Sequence, residues 1–179
     1  MPVTINGNGT ITGLSVGGLP DGCVDSDTLA ATARGKILQV ASGTTSTEVS
    51  VASTSYTDTG LSATITPASG TKVLVITDQQ YHLERDSDRA QTYIQLLRGS
   101  TVIDSHTKGF VSTYGGSDSS VKLGGTNNYI YLDTHGADGS TAVTYKTQAK
   151  MESTADDGKC KFQEGGNVAA HMYLMEVAS

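Results

Sequence analysis

From Gly35 onward the chain is written in short runs of alternating apolar and polar residues, each closed by a cluster of Gly, Ser, Asn, Asp or Pro. No other feature constrains the fold as much. A period of two sends successive side chains to opposite faces of a strand, whereas an amphipathic helix needs a period of 3.6. Residues 47–51 alternate cleanly, and Leu61, Ala63 and Ile65 alternate with Ser62, Thr64 and Thr66. Residues 73–76 are continuously apolar and read as a central strand buried on both faces. Residues 92–97 and 101–103 flank Arg98-Gly99-Ser100 and read as a hairpin. Residues 84–89 read as a charged loop and 109–126 as a long Gly- and Ser-rich loop. The last strands fall at 128–132, 142–151 and 168–177, separated by loops at 133–140 and 153–166. Turns recurring about every 8–12 residues describe an antiparallel sandwich or barrel. No helical pattern lies between strands, so βαβ units are not expected. The expectation is therefore an all-β fold: an antiparallel β-sandwich of jelly-roll type over residues 35–179, with an extended N-terminal arm over 1–34. An up-and-down barrel ranks second. The expected core is Ile37, Leu38, Val40, Val49, Val51, Leu61, Ile65, Val73, Val75, Tyr93, Ile94, Leu96, Val102, Ile130, Leu132, Val143, Tyr145, Met172, Leu174 and Val177.

Composition agrees with this pattern. Ser and Thr make up roughly a quarter of the chain, suiting hydroxyl-rich strand faces, and Gly contributes 21 residues to turns. The 36% of hydrophobic residues is too many for wholesale disorder, and a strand-bearing stretch of about 140 residues can bury a core without staples. The formal charge of -6 disfavours nucleic acid and anionic membrane as partners. The longest apolar run, Val73-Leu74-Val75-Ile76, is far too short to span a bilayer as a helix, and the first residues lack the basic and apolar regions of a signal peptide.

The first 34 residues read differently. Asn6-Gly7-Asn8-Gly9 is a turn between two short strand-like runs, Val3-Thr4-Ile5 and Thr10-Ile11-Thr12. Residues 25–33 are the one helical stretch, capped by Asp25 or Ser26 and too short to stand alone. Such a segment has no core of its own, so its apolar residues Ile5, Ile11, Leu14, Val16, Leu19 and Leu29 are candidates for docking onto a partner.

Recognisable chemistry is sparse. Cys23 and Cys160 make no disulfide framework, and no Cys, His, Asp or Glu cluster has zinc spacing. His82, His106, His135 and His171 match no triad or metal motif. Three acidic loops, 84–88, 133–138 and 156–157, match no calcium consensus. The expectation is no catalytic residue, cofactor or metal. Tyr129 and Tyr131 share one strand face opposite Ile130 and Leu132, and an exposed tyrosine pair would suit a sugar ring or a neighbouring subunit.

The stretches Thr4-Ile5-Asn6-Gly7-Asn8-Gly9-Thr10-Ile11-Thr12-Gly13-Leu14, Gly17-Gly18-Leu19-Pro20-Asp21-Gly22 and Val24-Asp25-Ser26-Asp27-Thr28-Leu29-Ala30 resemble a segment of tailed-phage virion proteins, especially those of cyanophages. The strand at 35–40, the run 53–67, Lys72-Val73-Leu74-Val75 and the ending Leu174-Met175-Glu176-Val177-Ala178 are similar to the β-sandwich module of those proteins. The resemblance implies a structural role, often in trimers, and no catalytic residue. Fibre proteins of this kind carry a shaft or tail anchor upstream, and the motif here begins beside Met1. The expectation is therefore a capsid decoration, or cement, protein on the virion exterior, made in the host cytoplasm. It would be a homotrimer that binds the major capsid protein over its subunit junctions through the arm. The alternative is a short tail or head fibre that recognises host surface glycans.

Overall fold

The computed structural model describes residues 4–5, 11–12, 36–86, 89–106, 111–114 and 121–179. The chain divides into two units, Met1–Lys36 and Ile37–Ser179. In the first, strands β1 (Thr4–Ile5) and β2 (Ile11–Thr12) pair antiparallel, Thr4 opposite Thr12 and Ile5 opposite Ile11. The helix expected at 25–33, Cys23 and the docking candidates Leu14, Val16, Leu19 and Leu29 lie outside the described residues.

The second unit is all-β among its described residues, a sandwich of two antiparallel sheets. Its strands are β3 (Ile37–Thr45), β4 (Val49–Val51), β5 (Thr57–Ile65), β6 (Lys72–Arg85), β7 (Arg89–Arg98), β8 (Thr101–Ser105), β9 (Val111–Tyr114), β10 (Val121–Asn127), β11 (Ile130–Asp133), β12 (Val143–Met151), β13 (Lys159–Phe162) and β14 (Ala170–Val177). Several of these lie end to end as one interrupted lane. β10 runs on into β11 along a single edge of β6 in unbroken register, Asn127 opposite Gln79 and Ile130 opposite Ile76, with Thr77 N donating to Tyr129 O between them. β13 and β14 share the other edge of β6, β3 and β4 lie outside them, and β8 and β9 both pair with β7. Counting lanes in chain order, the first sheet runs 1-8-3-6 and the second 2-7-4-5.

The alternation of β5 and β12 sets their inward residues: Thr59, Leu61, Ala63 and Ile65 on one, Tyr145, Thr147, Ala149 and Met151 on the other. They meet Val73, Val75, Leu83, Ile94, Leu96, Phe162, Met172 and Leu174, all fully buried. A polar cross-link sits within this core. Thr147 Oγ1 donates to Gln79 Oε1 at 2.9 Å, Gln79 Nε2 to Thr59 Oγ1 at 3.0 Å, and Thr59 Oγ1 to Thr147 O at 3.2 Å. A satisfied network of this kind specifies one register between the sheets. Gly43 on β3 sits where the two sheets come together. A Cβ there would drive into the Ser62 carbonyl oxygen and lie 2.8 Å from its carbon.

Several expectations are corrected. Ile37, Leu38, Val40, Val102, Ile130 and Leu132 are exposed, and Val49, Tyr93, Val143 and Val177 are half-buried. In 129–133 the pleat phase is inverted. Tyr129, Tyr131 and Asp133 lie on the inward side, where the interior satisfies the Tyr129 hydroxyl and the Asp133 carboxylate, which leaves Ile130 and Leu132 outside. The apolar run 73–76 is central as expected, but only Val73 and Val75 are fully buried, while Leu74 and Ile76 are half-buried on the outer side. The expected loop at 109–126 contains β9 and β10, and the expected loop at 153–166 contains β13. The hairpin at 98–101 is present: Arg98 pairs with Thr101, and Gly99 takes the positive φ the two-residue turn needs.

Candidate assembly face

The strand registers arrange the outer side of the first sheet in rows. Val40, Met175, Leu74 and Leu132 stand directly opposite one another across four lanes. The next row is Ser42, Tyr173, Ile76 and Ile130, and Val177 beside Ile37 and Lys72 closes one end. Ile130 is 75% exposed, Val40 57%, Ile37 55% and Leu132 50%. Leu38 and Tyr173 are also exposed, and Leu74, Ile76, Met175 and Val177 are half-buried between them. Lys72 at the margin is the one charged side chain in these rows. The exposed apolar area is on the order of 600 Å², at the upper end of the patches found on soluble monomers and usually functional there.

Further along β6 the same outer side is charged. Glu84 stands between Lys122 on β10 and Lys159 on β13, and His82 stands opposite Lys161. Lys161 Nζ donates to Glu84 Oε1 at 2.6 Å and to Glu164 Oε1 at 3.1 Å. Lys159 approaches Glu84 at 3.6 Å and pairs with Asp157, and His82 Nδ1 meets Glu164. The Lys161 hydrogen bond holds the Glu84 carboxyl below its usual range, and the His82 contact lowers Glu164. Three of these side chains, His82, Glu84 and Glu164, bring potential metal-ligand atoms within 4.8 Å of one another. Lys161 already occupies both carboxylates, so a cation would have to displace an ammonium. The group is a self-neutralised ion-pair network.

A cleft of about 420 Å³ opens beside Arg98, His135 and Asp138. Its polar groups serve the loop itself. Arg98 Nη1 donates to both Asp133 oxygens (2.9 and 2.8 Å) and to Thr134 O, and Tyr145 OH donates to Asp133 Oδ2 at 2.8 Å. His135 Nδ1 accepts from Ala137 N, and its Nε2 faces Thr71 Oγ1, which donates to Glu176. Burial works against the charge of Glu176. Hydrogen bonds from Gln39, the Ala68 N–H and Thr71 outweigh it and hold the carboxyl below its usual range. The backbone N–H groups of Ser140 and Thr141 pull Asp138 down to about 2.

Of the residues singled out from sequence, Ile5 and Ile11 are register partners in the β1–β2 pair. The proposed exposure of Tyr129 is overturned: it is 2% exposed, and its hydroxyl donates to Ile94 O and meets His106 Nδ1 at 2.8 Å. Tyr131 on the same inward side is half-buried against the core. Cys160 is fully buried, and desolvation pushes its thiol up to about 12, where it is not a nucleophile at neutral pH. The outer residues Ile130, Leu132, Val40 and Tyr173 were missed as a site. Their signal was present: 73–76, 129–132 and 172–175 are apolar in both pleat phases, as is 37–40 apart from Gln39, and strands apolar on both faces need cover on both.

No protein-family model matches the chain, and a search of curated proteins returns no match.

Proposed function

We propose that this chain is a non-enzymatic structural protein of a virion, a capsid decoration protein that binds the major capsid protein over subunit junctions. The observation that carries the reading is the apolar outer face of the first sheet, an exposed apolar patch of the kind that marks protein association. The lane order 1-8-3-6 facing 2-7-4-5 supports it. We read this order as a jelly roll, an architecture shared by viral capsid and lectin domains. The sequence resemblance to tailed-phage virion proteins points the same way. In this reading residues 1–34 supply the segment that docks on the capsid, and binding only the mature shell stabilises that shell by mass action. The glycan-binding alternative, which rested on the tyrosine-rich strands and on the loops at 109–126 and 133–140, loses Tyr129 as a contact because that side chain is interior.

Electron microscopy of intact particles from the phage encoding this chain tests the proposal. Copies comparable in number to the capsid subunit, placed on the head exterior, are expected. A few copies per particle, or a location at the tail, would refute it.

A further inference from the structure

We infer that the apolar half of the first sheet's outer side is covered by the same face of a second copy of this chain, packed about a two-fold axis. The inference rests on reading that face as an assembly surface and names its occupant. Two features select a second copy. The first is area. About 600 Å² of apolar surface approaches the roughly 800 Å² that one partner contributes to a stable interface, so two such faces make a contact of standard size. The second is complementarity. A heterologous contact, of the sort a trimer needs, joins two different surfaces. Among the described residues the other exposed large apolar side chains are Val102 on β8, Leu123 on β10 and Val168 before β14, three separate positions that form no second face. Among the described residues, the extended apolar surface that can complement this face is therefore the face itself.

The central rows support that geometry. They carry no charge, so two copies meet without burying an unpaired ion. The rows are side chains standing on a regular sheet, the surface that packs face to face at about 10 Å in sandwiches. The charged network of His82, Glu84, Lys159, Lys161 and Glu164 lies beyond the apolar rows and would form a polar rim, as interfaces generally have.

Sedimentation of the full-length chain from about 1 to about 100 µM tests the inference. A monomer–dimer equilibrium is expected. Ile130→Glu and Val40→Glu, both at positions more than half exposed, should each weaken it by about tenfold or more with an unchanged circular dichroism spectrum. Ile130→Ser, milder still, should weaken it without introducing charge. Ser100→Glu at the exposed tip of the β7–β8 hairpin should leave it intact. A chain that stays monomeric at about 100 µM, a trimer, or a dimer indifferent to the Ile130 and Val40 substitutions would overturn the inference. The copy number on virions is a separate measurement, so loss of the dimer alone would leave the decoration reading standing.

Discussion

The outer side of the first sheet carries two surfaces on one backbone framework. β6 runs beneath both, and lanes of the same chain flank it along its length. At one end Glu84, His82, Lys161 and Glu164 satisfy one another, and the surface is complete as it stands. At the other end Val40, Leu132 and Ile130 are each at least half exposed. Burial beneath the two ends is equivalent, Leu83 under the charged half and Leu174 under the apolar half both being fully enclosed. The contrast teaches that the apolar half is not a failure to bury hydrophobic residues. The same strand places side chains well on both of its sides, and what differs is that one half of the outer side is ion-paired within the chain and the other is left apolar and exposed.

The largest expected effects test whether the halves are alike underneath. Leu83→Ala and Leu174→Ala should each cost about 2–5 kcal/mol in urea unfolding, and by similar amounts, since each empties a closed site. A marked inequality would break the comparison. Gly43→Ala should come next, at about 1–3 kcal/mol, because the added Cβ collides with backbone rather than with a flexible side chain. It forces β3, the strand that carries Val40, away from Ser62, so an unchanged unfolding midpoint would show that the sheets do not meet there. Glu84→Gln should cost about 0.5–1 kcal/mol at pH 7 by stripping Lys161 and Lys159 of a carboxylate. The depressed pKa of Glu84 sets the sign of its pH dependence. Its contribution is present above the unfolded value of about 4.3 and is lost as the pH falls through the lower folded value. The wild type should therefore lose stability relative to Glu84→Gln below about pH 4, and parallel acid titrations would contradict this. The smallest effect belongs to Ile130→Ser in dilute protein, under about 0.5 kcal/mol, since the side chain is mostly in water already. A larger loss in the monomer would mean that Ile130 supports the fold itself.

Much of the framework was legible in the sequence because its rules are local. The β5 and β12 alternation, the Gly99-Ser100 turn and the central place of 73–76 follow from period and turn chemistry. What escaped depends on contacts across lanes. The phase of 129–133 cannot be read from hydrophobicity, since Tyr-Ile-Tyr-Leu is apolar either way and the choice falls to Arg98 and Tyr145, which satisfy Asp133 inside. β13 was read as loop because Lys-Cys-Lys-Phe is short and follows Asp156-Asp157-Gly158, although Cys160 and Phe162 alternate inward with lysines outside. The docking candidates Leu14, Val16, Leu19 and Leu29 fall outside the described residues, and the face that does emerge lies on strands that had been assigned to the core.

The order of the lanes also has a consequence in time. β14 follows every other described strand in chain order, yet it lies between β3 and β6, so Ile37 must wait for Val177 before it has a neighbour in the sheet. β12 comes late in the same way and fills the gap between β5 and β7. A chain emerging from the ribosome therefore cannot close either sheet progressively. Non-local pairings of this kind make folding slow and leave bare strand edges exposed to other nascent chains until β14 has emerged. Slower growth at lower temperature should accordingly raise the yield of soluble protein more than any single stabilising substitution.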